Sequence, residues 1–194
     1  MPATESLSLR RQPLYDSNVV TTGFNGELVF FATPTGQADN AGVVKTIFES
    51  NNTFAGQLPK SEIFDVDGIA VSIVTNTMNT MPVLATVQNI LECSRAYLQF
   101  RIDRTVWFEA PLYKFTSGHG LVVAGVNSAV DSVTNGSPAP KAVLSLGKNV
   151  VRIPEGRPFD VVVRFQGVGP VVAEAAGVRL YVFLDGMRKA PTFK

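Results

Sequence analysis

Few residues in this chain are equipped for acid–base or nucleophilic work. His119, the sole histidine, sits in TSGHGL between two glycines, and Cys93, the sole cysteine, sits in VQNILECSR. A catalytic histidine needs a positioned partner, and the stretch around His119 offers only Ser117. It reads as a loop residue. Cys93 lies in an apolar stretch, where a free thiol packs as a small hydrophobe. One cysteine excludes an intramolecular disulfide and leans the redox reading towards a reducing cytoplasm. One His and one Cys fall short of the four nitrogen or sulfur ligands of a structural zinc.

Asp65 and Asp67 in FDVDGIA are two residues apart. On a strand that spacing puts both carboxylates on one face, as a calcium or sugar site requires. The EF-hand pattern is not completed, so the plainer reading is a polar strand face or a turn. GVVKT lacks the first glycine and the spacing of a phosphate loop, and no dinucleotide fingerprint or G-x-S-x-G elbow occurs. No catalytic, cofactor-binding or metal residue is assigned, no cofactor is expected, and the chain is read as not an enzyme. What remains are contact residues. Trp107 beside Phe108 suits stacking on a sugar or base, or a core or subunit contact. Arg10 and Arg11 form a small basic pair, read as ordinary solvated charges or as contacts with a neighbouring subunit or with phosphate.

The elements that must carry these residues are mostly strands. ELVFFAT (27–33) and EIFDVDGIAVSIVTN (62–76) are rich in β-branched and aromatic residues, with Gly68 as the expected bulge. In AYLQFRIDRTVWFEAP, Leu98, Phe100 and Ile102 alternate with polar residues. A tight reversal follows near Asp103 and Arg104, and alternation resumes through Val106 and Phe108. That predicts an antiparallel hairpin. MPVLATVQNILECSR repeats apolar residues at three and four, which predicts one short helix over about 82–93. LVVAGV within the Gly- and Ser-rich stretch 114–141 is expected to pair locally. AVLSLGKNVVRIP, RPFDVVVRFQG and GVRLYVFLDG supply the last strands. In RIPEGRPFDVVVRFQG, Phe159, Val161, Val163 and Phe165 form one row and Val162 and Arg164 the other, the second row being available to a neighbouring subunit.

About seven to nine strands without βαβ alternation favour an antiparallel sandwich, and the long connections at 34–61 and 114–141 suit crossings between two sheets. Fold class is therefore all-β, an antiparallel eight-stranded jelly-roll sandwich with one inserted helix. Residues 1–26 read as an extended arm, 27–188 as a single domain and 189–194 as a short tail. The length fits one domain that buries about 70% of its unfolded surface. With 17 basic and 16 acidic residues no field steers the chain to nucleic acid. The N-terminal stretch lacks signal-peptide order and no apolar run reaches the ~18 residues of a membrane span, so a soluble, unexported protein is expected.

Several phrases resemble the jelly-roll coat proteins of tailless icosahedral bacteriophages. LVFFATPTGQ followed by NNTFAGQLPKSEIFDVDGIAVSI is similar to their opening, where a G-x-L-P approach enters the second strand. RIPEGRPFDVVVRFQG resembles their I-P-x-G-x-P-F entry into a penultimate strand, and VRLYVFLDGMR the closing one. The resemblance spans most of 27–188 and carries no functional residue across. Many such proteins hold two jelly rolls in tandem, whereas this length fits one. It implies a virion structural protein, a homo-oligomer (trimer or pentamer) in an icosahedral shell with other capsid proteins, assembled in the host cytoplasm. Major, minor and vertex roles stay open, as does contact with an internal membrane or genome. On that reading, deleting residues 1–20 weakens assembly and leaves the monomer folded. The alternative is a carbohydrate-binding jelly-roll module using Trp107, Tyr113 and the Asp65/Asp67 pair.

Overall fold

A computed structural model of the chain describes residues 7–77, 82–93, 95–116, 122–124, 132–134, 144–146, 150–167 and 169–191. Its strands are β1 (Leu7–Arg11), β2 (Leu14–Val20), β3 (Glu27–Phe30), β4 (Ile63–Thr75), β5 (Tyr97–Ile102), β6 (Thr105–Pro111), β7 (Val122–Ala124), β8 (Ser132–Thr134), β9 (Leu144–Ser145), β10 (Val151–Ile153), β11 (Phe159–Arg164) and β12 (Val178–Pro191). One helix, α1 (Leu84–Gln88), runs on into a π-helical turn, Asn89–Cys93, and a 3-10 turn at Leu112–Thr116 follows β6.

Two antiparallel sheets face each other. The first has the order β2–β12–β4–β10, with β1 continuing β2 along β12 and β9 beside β4; the second has the order β3–β11–β5–β6. The pairings are nested. β5 and β6 form a hairpin at the centre of the chain, and β4 with β10, β3 with β11 and β2 with β12 pair in successively wider loops. The interior is filled by the inward rows of both sheets: Phe64, Val66, Ile69, Val71 and Ile73 of β4, Leu98 and Phe100 of β5, Val161 and Val163 of β11, and Val178, Leu180, Val182 and Leu184 of β12. These are the period-two rows that the sequence displays.

Turn chemistry agrees with the hairpin reading. Asp103 and Arg104 both have positive φ (52° and 65°), the conformation of a two-residue turn whose twist matches its strands. The bulge in β4 lies beside the expected glycine. Register passes from Gly68↔Asp185 to Val66↔Gly186, which leaves Asp67 without a partner on β12. The residue that must be glycine is Gly186 across from it, where a Cβ would stand 2.1 Å from the Asp65 carbonyl oxygen.

The ends of the chain differ from the sequence reading. Residues 7–11 and 14–20 are strands of the first sheet, not an arm leading to it, and Leu14 and Val20 lie in the core. β12 extends to Pro191, so the first part of the expected tail belongs to the sheet. The expected strand in AVLSLGKNVVRIP is divided into β9 and β10. Locally, β7 and β8 pair with each other, as LVVAGV suggested.

Candidate functional site

The pleat of β4 and its bulge direct Asp65 and Asp67 to the outer face of the first sheet, as their spacing predicts. There the two carboxylates meet cations of their own chain. Arg152 grips Asp65 through Nε at 2.7 Å and Nη2 at 3.2 Å, and Lys189 Nζ donates to it at 2.8 Å. Arg11 stands 3.4 Å from Asp67. The hydrogen bond from Arg152, above all, holds the Asp65 carboxyl below the usual carboxylate range. Leu9, Val150 and Met187 complete a shallow recess around these groups. A calcium ion would compete here with three cations already in place, and among the described residues no cluster of three His, Cys, Asp or Glu side chains suits a metal.

Trp107 is put outside by a second bulge. Phe100 pairs with Phe108 and Arg101 with Val106, so Trp107 is the extra residue of edge strand β6, and it is 57% exposed. Phe108 turns inward and meets Phe115 edge-on, with ring centroids 5.8 Å apart; it packs against the core. Tyr113 is exposed on the 3-10 turn. The two aromatic candidates of a sugar site thus belong to the second sheet and its continuation, and the two aspartates to the first. The structure does not bring them together. Arg10 and Arg11 are exposed on β1. His119 lies outside the described residues, and Cys93 ends the π-helical turn.

The outward row of β11 is closed by its own sheet. Val162 sits between Val29 and Gln99 and is fully buried. Around it Arg101 holds Asp160 through two bonds of 2.6 and 2.8 Å, and Arg164 pairs with Glu27 at 2.7 Å. Long charged side chains cover apolar surface with their stems in this way.

Sequence reasoning missed a buried polar cluster along β2. Lys45 Nζ lies 2.7 Å from Asp16 Oδ1 with both side chains wholly buried, and the Phe31 N–H donates to Asp16 Oδ2 at 2.6 Å. Burial pushes the Asp16 carboxyl upward against the pull of Lys45. On the opposite face of the sheet Arg179 bonds Asp39 at 3.0 Å, Ser17 at 3.3 Å and Asn76 at 3.1 Å. Beside it desolvation pushes the Tyr181 phenol up to about 12. The connection that supplies Asp39 and Lys45 also closes the free edge of β2. Asn40 bonds the Val19 N–H and carbonyl (3.0 and 2.8 Å), and Asn51 bonds the Tyr15 N–H and Pro13 carbonyl (2.9 and 2.8 Å). These groups are latches. Lys45 has Asp16 against it, and Arg179 has Asp39. The same connection leaves Ile47 and Phe48 exposed.

The chain matches no protein-family model, no curated protein and no solved structure.

Proposed function

We propose that the two sheets are the halves of an eight-stranded jelly roll and that the chain is a virion structural subunit, assembling by contacts between copies into an icosahedral shell. The observation that carries this reading is the nested strand order. β5–β6, β4–β10, β3–β11 and β2–β12 are pairs of one long folded ribbon, and their neighbours across the two sheets give β2–β12–β4–β10 and β3–β11–β5–β6. That order supports the reading, since capsid and lectin jelly rolls are double-sheet folds of eight strands built from two Greek keys. The phrases that resemble phage coat proteins fall on its members: NNTFAGQLPKSEIFDVDGIAVSI leads through β4, RIPEGRPFDVVVRFQG covers β11 and VRLYVFLDGMR covers β12.

Function in such a subunit resides in surfaces, and the chain offers several. Trp107, Val106, Ile47 and Phe48 are large apolar side chains left exposed, the kind enriched at the centre of protein contacts. Near-neutral net charge lets many copies lie side by side without strong mutual repulsion.

The test is the native mass of the purified protein across a concentration series, by light scattering after size exclusion, with electron microscopy of any large species. Closed trimers, pentamers or particles are expected. A monomer at every concentration counts against the shell reading and favours a binding module, for which retention on a glycan array with and without calcium is the next measurement.

A further inference from the structure

The edges of the two sheets are not treated alike. β2 has its second edge closed by Asn40 and Asn51. β3 has its second edge bonded by Asn18 at the Val29 carbonyl and by Gly56 at the Phe31 carbonyl. β6 is bulged at Trp107 and ends in Pro111, two devices that blunt an edge. β10, the other end of the first sheet, also has no strand on its second side among the described residues, but it is only three residues long, and a very short edge strand is itself a poor template. β1 is longer, at five residues. It pairs with β12 on one side, and among the described residues no strand lies on the other.

The direction of its free groups follows from the register. β1 and β2 lie on the same edge of β12 in one continuous register, Val20↔Val178 to Leu14↔Leu184 and then Arg11↔Met187 to Leu7↔Pro191. Tyr15 and Val19 turn their N–H and carbonyl groups away from β12, towards Asn51 and Asn40. Antiparallel pairs alternate strictly, so Leu9 and Arg11 also turn theirs away, while Ser8 and Arg10 bond β12. Leu9 is 59% exposed.

We infer that the free edge of β1 pairs with β1 of a second copy of this chain, antiparallel about a two-fold axis at Leu9. This rests on the homo-oligomeric reading above and deepens it. Leu9 of each copy then exchanges both N–H···O bonds with its mate, and the two exposed leucine side chains meet on the outer face. The segment LSLRR is self-complementary in that register. Arg10 stands opposite Ser8 and Arg11 opposite Leu7, so no arginine directly opposes another, and Arg11 already has Asp67 beside it. Like charges directly opposite would destabilise such a ladder. The Arg10 side chains approach only diagonally, and added salt, which screens them, tightens the pair. The product is one sheet running from β10 of one copy through both β1 strands to β10 of the next.

Two variants of the full chain test it. Leu9→Pro removes an N–H that the monomer does not use, on an edge strand where proline is tolerated. It is expected to weaken dimer formation about tenfold or more, through the loss of two hydrogen bonds, while the monomer melts as before. Leu9→Cys, in a Cys93→Ser background, is expected to give a disulfide-linked dimer on mild oxidation, since hydrogen-bonded pairs bring Cα atoms to about 5.5 Å. If the parent protein assembles, and Leu9→Pro assembles equally well while Leu9→Cys does not cross-link, the edge pairing is overturned and the shell reading stands. Leu9-dependent dimers with no larger closed species uphold the pairing and overturn the shell. A parent protein that stays monomeric and a Leu9→Cys variant that never cross-links overturn both.

Discussion

Lys45 is a side chain whose loss should cost this protein heavily. Its ammonium is fully buried against Asp16, and removing it strands a carboxylate in the interior. Breaking one partner of a buried pair costs about 3–5 kcal/mol, so Lys45→Met is expected to lower the urea midpoint by that equivalent. Asp16→Asn/Lys45→Met should recover part of the loss, because an amide still accepts from the Phe31 N–H without a charge to desolvate. A single-variant cost below about 1 kcal/mol would show that the pair does not latch the connection. Asp65 makes a pH prediction of defined sign. Its folded-state pKa is lowered, so the unfolded chain binds more protons in the window below its ordinary value of about 3.9. Its contribution is therefore complete above that value and is lost as pH falls through the folded one. The gap in stability between the parent and Asp65→Asn should be constant near neutrality and close as pH falls below about 4. Asp16, whose pKa is raised, acts the other way: its titration lowers stability as pH rises through the window above about 3.9. The Asp65/Asp67 face was legible in FDVDG because strand parity is local. The partners of Asp16 and Asp65 were not, since Lys45 is 29 residues from Asp16, and Arg152 and Lys189 are 87 and 124 from Asp65.

At the level of elements, α1 shows a start supplied from elsewhere. Val83 at its N-terminus has no side chain that caps. Instead Glu174 accepts from the Val83 N–H at 2.7 Å and from the Thr86 hydroxyl at 2.7 Å, and Thr86 Oγ1 accepts from the Ala173 N–H at 2.9 Å. Glu174→Ala should destabilise the fold by about 1–2 kcal/mol, the usual cost of a lost cap, and speed amide hydrogen exchange across 83–88 more than elsewhere. Unchanged exchange there would mean that the helix is held by its apolar stripe alone. The closed edge of β2 makes a second prediction. Asn40→Ala/Asn51→Ala should expose the Tyr15 and Val19 amides to rapid exchange and raise concentration-dependent aggregation, because an uncovered edge is a template for another chain. β2 was hidden from sequence reading by the polar residues of LYDSNVV. Asp16 and Asn18 occupy inward positions of a strand, which alternation assigns to loops, and their partners come from Lys45, Phe31 and Val29.

At the level of the whole molecule the nested pairing makes the two ends of the chain unequal. β12 touches β1, β2 and β4 and sits inside the first sheet, while β1 is an outer segment. Removing residues 1–11 should leave cooperative thermal unfolding near the parent midpoint. Removing 1–20 takes away Leu14, Asp16 and Val20 and leaves Lys45 buried without its carboxylate, so the truncated chain should lose its cooperative transition. This reverses what an unpaired arm implies, and circular dichroism melts of the two truncations decide it. A folded 1–20 deletion would mean that the connection bearing Lys45 repacks without β2.

Alternation within short windows was enough to establish that the chain is built of strands, that β5 and β6 form a hairpin, that Phe159, Val161 and Val163 face the core and that a short helix interrupts the sheets. Side-chain parity and turn conformation are local properties, and five to ten residues express them. Which strands lie side by side beyond that hairpin, that residues 7–20 belong to the sheet, that Val106 is exposed although alternation sets it in one row with Phe108, and that Val162 is covered by its own neighbours were decided only by the tertiary structure. Those outcomes depend on bulges whose position is set by the opposite strand, and on charges and amides that find partners far away in the sequence. No window along the chain contains both halves of such a contact.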